Sequence, residues 1–201
     1  SPKIVSLKTD RPSIELVLQV SNFFHKDGGI WHSMELGTEQ ALSAMRDRLV
    51  FFDMLLFGGL FIMGLYHLGL YALRRQERAP LFFGLLCLTV GIRSLLVGQR
   101  IFYGLVPGLG WEIQQKLEYL LLYLSAPAFF MFFYHLFPAE VSKRFCSVIT
   151  GCCGIFSVIV ILAPAKIYGH TGNLFQVLVY AASFYLAVMM VKIIRHKREG
   201  S

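Results

Sequence analysis

The sequence predicts a mainly α-helical membrane protein: a polytopic bundle of about five transmembrane spans, preceded by the last strands of a truncated β domain. Apolar residues make up 56% of the 201 residues and the mean hydropathy is +0.60, whereas soluble domains are about 45–50% apolar. The excess lies after Leu49, in blocks near the roughly 20 residues that one bilayer crossing needs. Before Thr38, alternating apolar and polar residues instead indicate β structure.

Residues 1–36 are predicted to be the tail of an extracytoplasmic β domain. Strands are expected at residues 3–7 and 14–20, the second with an apolar residue at every other position. Turn residues at 10–12 separate the two strands, and the Asp-Gly-Gly at 27–29 indicates another turn. Two strands alone do not make a stable sheet. We therefore expect this chain to be a fragment, with the rest of the β domain preceding it.

Residues 37–49 are predicted to form an amphipathic coupling helix. Thr38 suits the N-cap, and the negative charge of Glu39 suits the first turn of a helix. Leu42, Met45 and Leu49 share one helix face. No Pro or Gly interrupts the pattern, so the coupling helix is expected to continue into the first span.

Residues 50–201 are predicted to be a transmembrane helical domain. The expected spans are residues 50–73, 80–98, 113–136, 144–163 and 173–194, joined by short connections. Lys and Arg flank the spans unevenly, nine on one side and five on the other. Because cytoplasmic loops carry the excess of Lys and Arg, the N-terminus is predicted outside and the C-terminus in the cytoplasm. This placement accounts for the net charge of +7 without a nucleic-acid partner.

Three ionisable residues are predicted to lie inside the spans at similar depth: Asp53, Arg93 and Glu118. Charges are costly in the membrane, so they mark functional candidates. We predict that they form an intramembrane polar cluster, with Arg93 and Glu118 as an ion pair. The alternatives left open are a fixed structural pair and a switch or ligand contact.

The second span carries a stripe of small residues at spacings of 3, 4, 3 and 4. These residues are Gly84, Cys87, Gly91, Ser94 and Gly98. Such a stripe lets another helix backbone approach closely, and this kind of packing drives helix association in lipid. The sequence therefore predicts a helix-packing face here.

Catalytic motifs are missing from the sequence. It contains no His-Glu-x-x-His, Gly-x-Ser-x-Gly, phosphate-binding glycine loop or Cys-x-x-Cys. We therefore predict that this chain is not an enzyme and binds no metal or cofactor. His67 and His135 share a depth that would suit haem or metal ligation, but an interfacial role beside tyrosines is favoured. For Cys152 and Cys153, packing is favoured over a redox pair.

Several weak motifs occur in a recognisable order. They include "LQVSNFFHKDGGIW", "GLYHLGLYALRRQERAPLFFGLLCL" and "WEIQQKLEYLLLYLSAPAFFMFFYHLFP". In this order the sequence resembles the bacterial seven-transmembrane receptors with diverse intracellular signalling modules. Arg93, Glu118, Tyr119 and the Leu-Phe-Pro at 136–138 fall where the family pattern places similar residues.

The resemblance implies a function. Residues 1–36 would hold the C-terminal strands of an extracytoplasmic jelly-roll β-sandwich that binds carbohydrates or related small molecules. The spans would transmit ligand binding to a cytoplasmic kinase, cyclase or phosphatase module that lies outside this chain. The expected location is the bacterial inner membrane, with the lipid bilayer and a second copy of the chain as expected partners. The alternative is a small polytopic transporter or channel subunit.

Overall fold

The computed structural model describes residues 4–7, 15–19, 34–106 and 108–199, with side chains described up to residue 192. The regular secondary structure of these residues is helical. The helices are α1 (Glu39–Leu73), α2 (Ala79–Leu96), α3 (Ile101–Leu105), α4 (Trp111–Leu136), α5 (Lys143–Leu162), α6 (Ala165–Tyr168) and α7 (Thr171–Glu199).

Within the described residues, five helices are long and apolar enough to cross a membrane, as the sequence predicted. The predicted spans fall on α1, α2, α4, α5 and α7. The predicted cap is also confirmed, because the Thr38 hydroxyl accepts a hydrogen bond from the Ala41 backbone N–H at 3.3 Å. At about 1.5 Å per residue, the 35 residues of α1 extend roughly 52 Å. This exceeds the hydrocarbon core of about 30 Å, so α1 is long enough to project beyond the membrane.

The predicted β segment lies mostly outside the described residues. Residues 4–7 and 15–19 take no regular secondary structure, and the other positions of the two expected strands are not described. Strands gain stability from neighbouring strands or a packed helix, and the described residues supply neither to these segments. The β domain therefore stays a prediction.

The spans pack one after another in chain order. α1 packs on α2, α2 on α4, α4 on α5 and α5 on α7, while the short α6 contacts α4, α5 and α7. The buried core is centred on α4, α5 and α7 and includes Tyr123, Phe130, Cys146 and Val160. Gly64 is the buried residue of α1. α1 therefore stands at one edge of this arrangement, held through α2.

Glycines make the closest approach between α1 and α2. A Cβ atom added at Gly84 would lie 3.0 Å from the backbone oxygen of Gly64, and one added at Gly64 would lie 2.8 Å from Leu88 Cγ. At Gly91 the nearest atom would be Leu60 Cβ, at 3.3 Å. A Cβ added at Gly98 would lie 3.0 Å from the carboxylate of Asp53, which belongs to α1. Three residues of the predicted stripe therefore face α1, namely Gly84, Gly91 and Gly98. Of the other two, Cys87 is buried and Ser94 donates its hydroxyl to the Gly91 oxygen at 2.7 Å.

Replacing Gly84 by Ala is expected to destabilise the protein by about 1–3 kcal/mol, the usual cost of overpacking. The added methyl group would meet a backbone oxygen, which cannot move without displacing α1. The free energy of unfolding in mixed detergent micelles measures the effect. Gly59→Ala is the matched control, because nothing lies within 4 Å of a Cβ there. Equal free energies of unfolding for Gly84→Ala and Gly59→Ala would show that the close contact of α1 with α2 does not contribute to stability.

Candidate functional site

Polar groups gather at the end of the bundle where α2 ends and where α4 and α7 begin. Arg93 is three residues from the end of α2, and Glu118 lies about two turns into α4. Asp53 lies within α1, and its carboxylate reaches the turn that follows α2. The three residues of the predicted polar cluster therefore lie at the same end, on three different helices.

Arg93 and Glu118 come together across the α2–α4 interface. Arg93 Nη2 lies 3.6 Å from Glu118 Oε1, with the two side chains 30% and 22% exposed. Charge-assisted hydrogen bonds are shorter, about 2.7–2.9 Å, so this contact is an ion pair without a short hydrogen bond. Arg93 Nε is buried and has no hydrogen-bond partner among the described residues. The guanidinium thus keeps an unused donor.

Asp53 has a different partner. Its Oδ2 accepts a hydrogen bond from the backbone N–H of Gln99 at 3.3 Å. Gly98 has a φ of +66°, in the left-handed region that glycine adopts without strain, and a side chain there would press against this carboxylate. Among the described residues no ion pair links Asp53 with Arg93. Because α1 and α4 pack on α2 separately, the predicted cluster is divided into two contacts.

A second set of charges joins α4 to α5. The Lys116 ammonium lies 3.3 Å from the Glu112 carboxylate and donates to the Ile161 carbonyl oxygen at 3.2 Å. That carbonyl belongs to the last turn of α5, where backbone oxygens lack helical partners and a positive charge is favourable. Lys116 therefore caps the end of the neighbouring helix.

The short helix α3 lies close to the same charges. Burial raises the pKa of the Tyr103 phenol above its ordinary value, while Arg100 lowers it and Glu118 raises it. Arg100 has a φ of 52°, an uncommon conformation for a residue other than glycine. The five residues of α3 contact α2.

A buried hydrogen-bond chain, which the sequence did not predict, joins α4, α6 and α7. The Thr171 hydroxyl donates to the Tyr168 carbonyl oxygen at 2.5 Å. Since a hydroxyl has one proton, the Tyr123 hydroxyl must be the donor in its 2.7 Å contact with Thr171 Oγ1. Tyr123 is fully buried. Its partner is 48 residues away in the chain, so no local pattern could have revealed the contact.

Two of the histidines, His67 and His135, lie in aromatic packing contacts. His67 packs on Phe83 at 4.5 Å between ring centroids, and His135 stacks on Phe82 at 5.2 Å. The Nδ1 atom of His67 bonds the Met63 carbonyl oxygen at 2.9 Å. Within the described residues, no three His, Cys, Asp or Glu side chains are grouped so as to hold a metal ion. The four cysteines, all described, are free thiols.

Comparison with known proteins identifies the family. A family model described as 7TM diverse intracellular signalling matches residues 49–201, which is well over half of the chain. Searches of curated proteins and of solved structures find no match. The family match supports a role as a membrane sensor or receptor, and it confirms the resemblance found in the sequence. With its five apolar helices, this multi-pass membrane protein belongs to the 7TM diverse intracellular signalling family.

Proposed function

We propose that this chain is the transmembrane part of a receptor that transmits binding of an extracytoplasmic ligand to a cytoplasmic signalling module. In this proposal the N-terminus faces outwards and the C-terminus faces the cytoplasm of a bacterial cell, across the inner membrane. Residues 1–36 end a β-sandwich that binds the ligand, with carbohydrates as the expected class. The chain itself carries no catalytic activity and signals as a homodimer.

The continuity of α1 is the observation that carries this proposal. One uninterrupted helix runs from Glu39, next to the N-terminal segment, to Leu73. Asp53 contacts the turn after α2, so the 14 residues before it extend beyond the end of α2 by roughly 21 Å. A rigid helix of this kind passes a rotation or a shift at its start directly to the bundle.

Asp53 is a polar point at which such a movement would reach the other spans, in addition to the glycine contacts between α1 and α2. Its carboxylate is bonded to the backbone of the α2–α3 turn, and α2 bears Arg93, whose partner Glu118 lies on α4. A ligand shifts a receptor only by binding two conformations with different affinity. The turn after α2 is linked to α1 by Asp53, and α2 is linked to α4 by Arg93 and Glu118. The position of this turn could differ between two such conformations.

The test varies the phase of α1 in the full-length receptor. Inserting one Ala residue after Leu49 turns everything before it by about 100°, whereas seven residues restore the orientation to within roughly 20°. We expect the basal output of the signalling module to change at least about fivefold with one to three inserted residues. It should return towards the original level with seven. A basal output that is the same for every insertion would rule out transmission through α1.

Asp53→Ala is expected to weaken this dependence on helix phase, because the contact with the Gln99 N–H is lost while the glycine contacts between α1 and α2 remain. Asp47→Ala is the matched control, since Asp47 lies on the same helix with 71% of its side chain exposed. Equal behaviour of the two variants would show that Asp53 does not couple α1 to the turn.

A further inference from the structure

A cavity of about 450 Å³ lies between α2, α4 and α7, at the end of the bundle where the ion pair is found. Arg93 lines it from α2, Glu118, Tyr119 and Leu122 line it from α4, and residues between Gly172 and Tyr180 line it from α7. Small-molecule sites commonly have volumes of roughly 300–1,000 Å³ and combine apolar walls with a few polar groups. The cavity therefore has the size of a small-molecule site.

Arg93 gives the cavity a hydrogen-bond donor. Its side chain lines the cavity and is 30% exposed, and the ion pair with Glu118 is too long for a strong hydrogen bond. Because Arg93 Nε is itself buried, the exposed part of the guanidinium is the part that a ligand can reach. A ligand oxygen in the cavity would accept a hydrogen bond from it.

Charge balance restricts the ligand. Arg93 and Glu118 are the charged residues that line the cavity, and their formal charges cancel. A ligand with a net charge would leave an uncompensated charge between membrane helices, where charges are costly. The side chains of Leu122, Phe175 and Val179 give the same cavity an apolar wall. An uncharged head and an apolar tail match both parts of the lining.

We propose that this cavity binds an uncharged amphiphile of small-molecule size. An oxygen of its polar head accepts a hydrogen bond from Arg93, and its tail lies along Leu122, Phe175 and Val179. This site differs from the extracytoplasmic site of the proposed receptor function and does not depend on it. The test measures binding alone, so its failure and the failure of signalling through α1 are separate results.

The experiment uses the full-length receptor in lipid nanodiscs and a photoreactive diazirine derivative of 1-decanoylglycerol. After irradiation, mass spectrometry locates the labelled residues. We expect saturable labelling of α4 and α7 residues that line the cavity. Unlabelled 1-decanoylglycerol should displace the label at least tenfold better than decanoate or decyltrimethylammonium, which have the same chain length but carry a charge.

Two variants test the position of the site. Val179→Trp places a large side chain in the cavity beside its apolar wall and should lower labelling at least tenfold. Val177→Trp is the control and should leave labelling within twofold of the original level, because Val177 is 68% exposed and does not line the cavity. Arg93→Lys keeps the charge opposite Glu118 but removes the planar guanidinium and its set of donors, and should also lower labelling. The proposal is overturned by labelling that does not saturate, by equal competition from charged amphiphiles, or by labelling unchanged in Val179→Trp and Arg93→Lys.

Discussion

Replacing Arg93 by Met is expected to destabilise the bundle by about 1–3 kcal/mol, because Glu118 would lose the positive charge that lies beside it. Glu118→Gln should have a similar effect through the lone guanidinium. Less than a third of each of the two side chains, Arg93 and Glu118, is exposed. Water therefore screens the remaining charge only in part. Unfolding of the purified protein in mixed micelles measures each free energy.

The double variant decides whether the two charges act together. Arg93→Met with Glu118→Gln should recover part of the loss, since neither charge remains uncompensated. The ion pair of Arg74 and Glu77 is the control, because its side chains are 77% and 63% exposed. The equivalent cycle there should give a coupling of about 0–1 kcal/mol. Strict additivity at Arg93 and Glu118 would mean that the observed pair contributes nothing to stability.

Replacing Tyr123 by Ala is expected to cost about 3–5 kcal/mol, the largest effect among these variants. The side chain is fully buried, and its ring lies 4.7 Å from Phe175 and 5.6 Å from Phe156 between centroids. Removing it leaves a cavity between α4, α5 and α7 and also deletes the hydrogen bond to Thr171. The same unfolding measurement gives the free energy.

Tyr123→Phe separates these two contributions, since it keeps the ring and removes only the hydroxyl. It should cost about 0.5–1.5 kcal/mol. Tyr66→Ala is the control for loss of a tyrosine ring, because Tyr66 is 60% exposed on α1. A loss at Tyr66 as large as that at Tyr123 would show that burial between α4, α5 and α7 does not determine the cost.

Local chemistry made much of the helical architecture predictable. The five apolar segments are visible because the length needed to cross a bilayer depends on each segment alone. The start of α1 at Glu39 follows from the capping hydroxyl of Thr38. The short helices α3 and α6 lie in segments that were expected to be connections, since four or five residues are too few to show a helical period.

The amino-acid pattern is sufficient to predict the number of apolar helices, the position of the charged residues along them and the small-residue face of α2. The contacts that these residues make depend on the packing of the helices. Gly58, Gly59 and Gly69 resemble Gly64 in the sequence, yet Gly64 alone of these four meets α2. Asp53 bonds a backbone N–H, and Tyr123 bonds a hydroxyl 48 residues away. Periodicity and capping act within one helix, whereas these contacts depend on how neighbouring helices are rotated and how closely they pack.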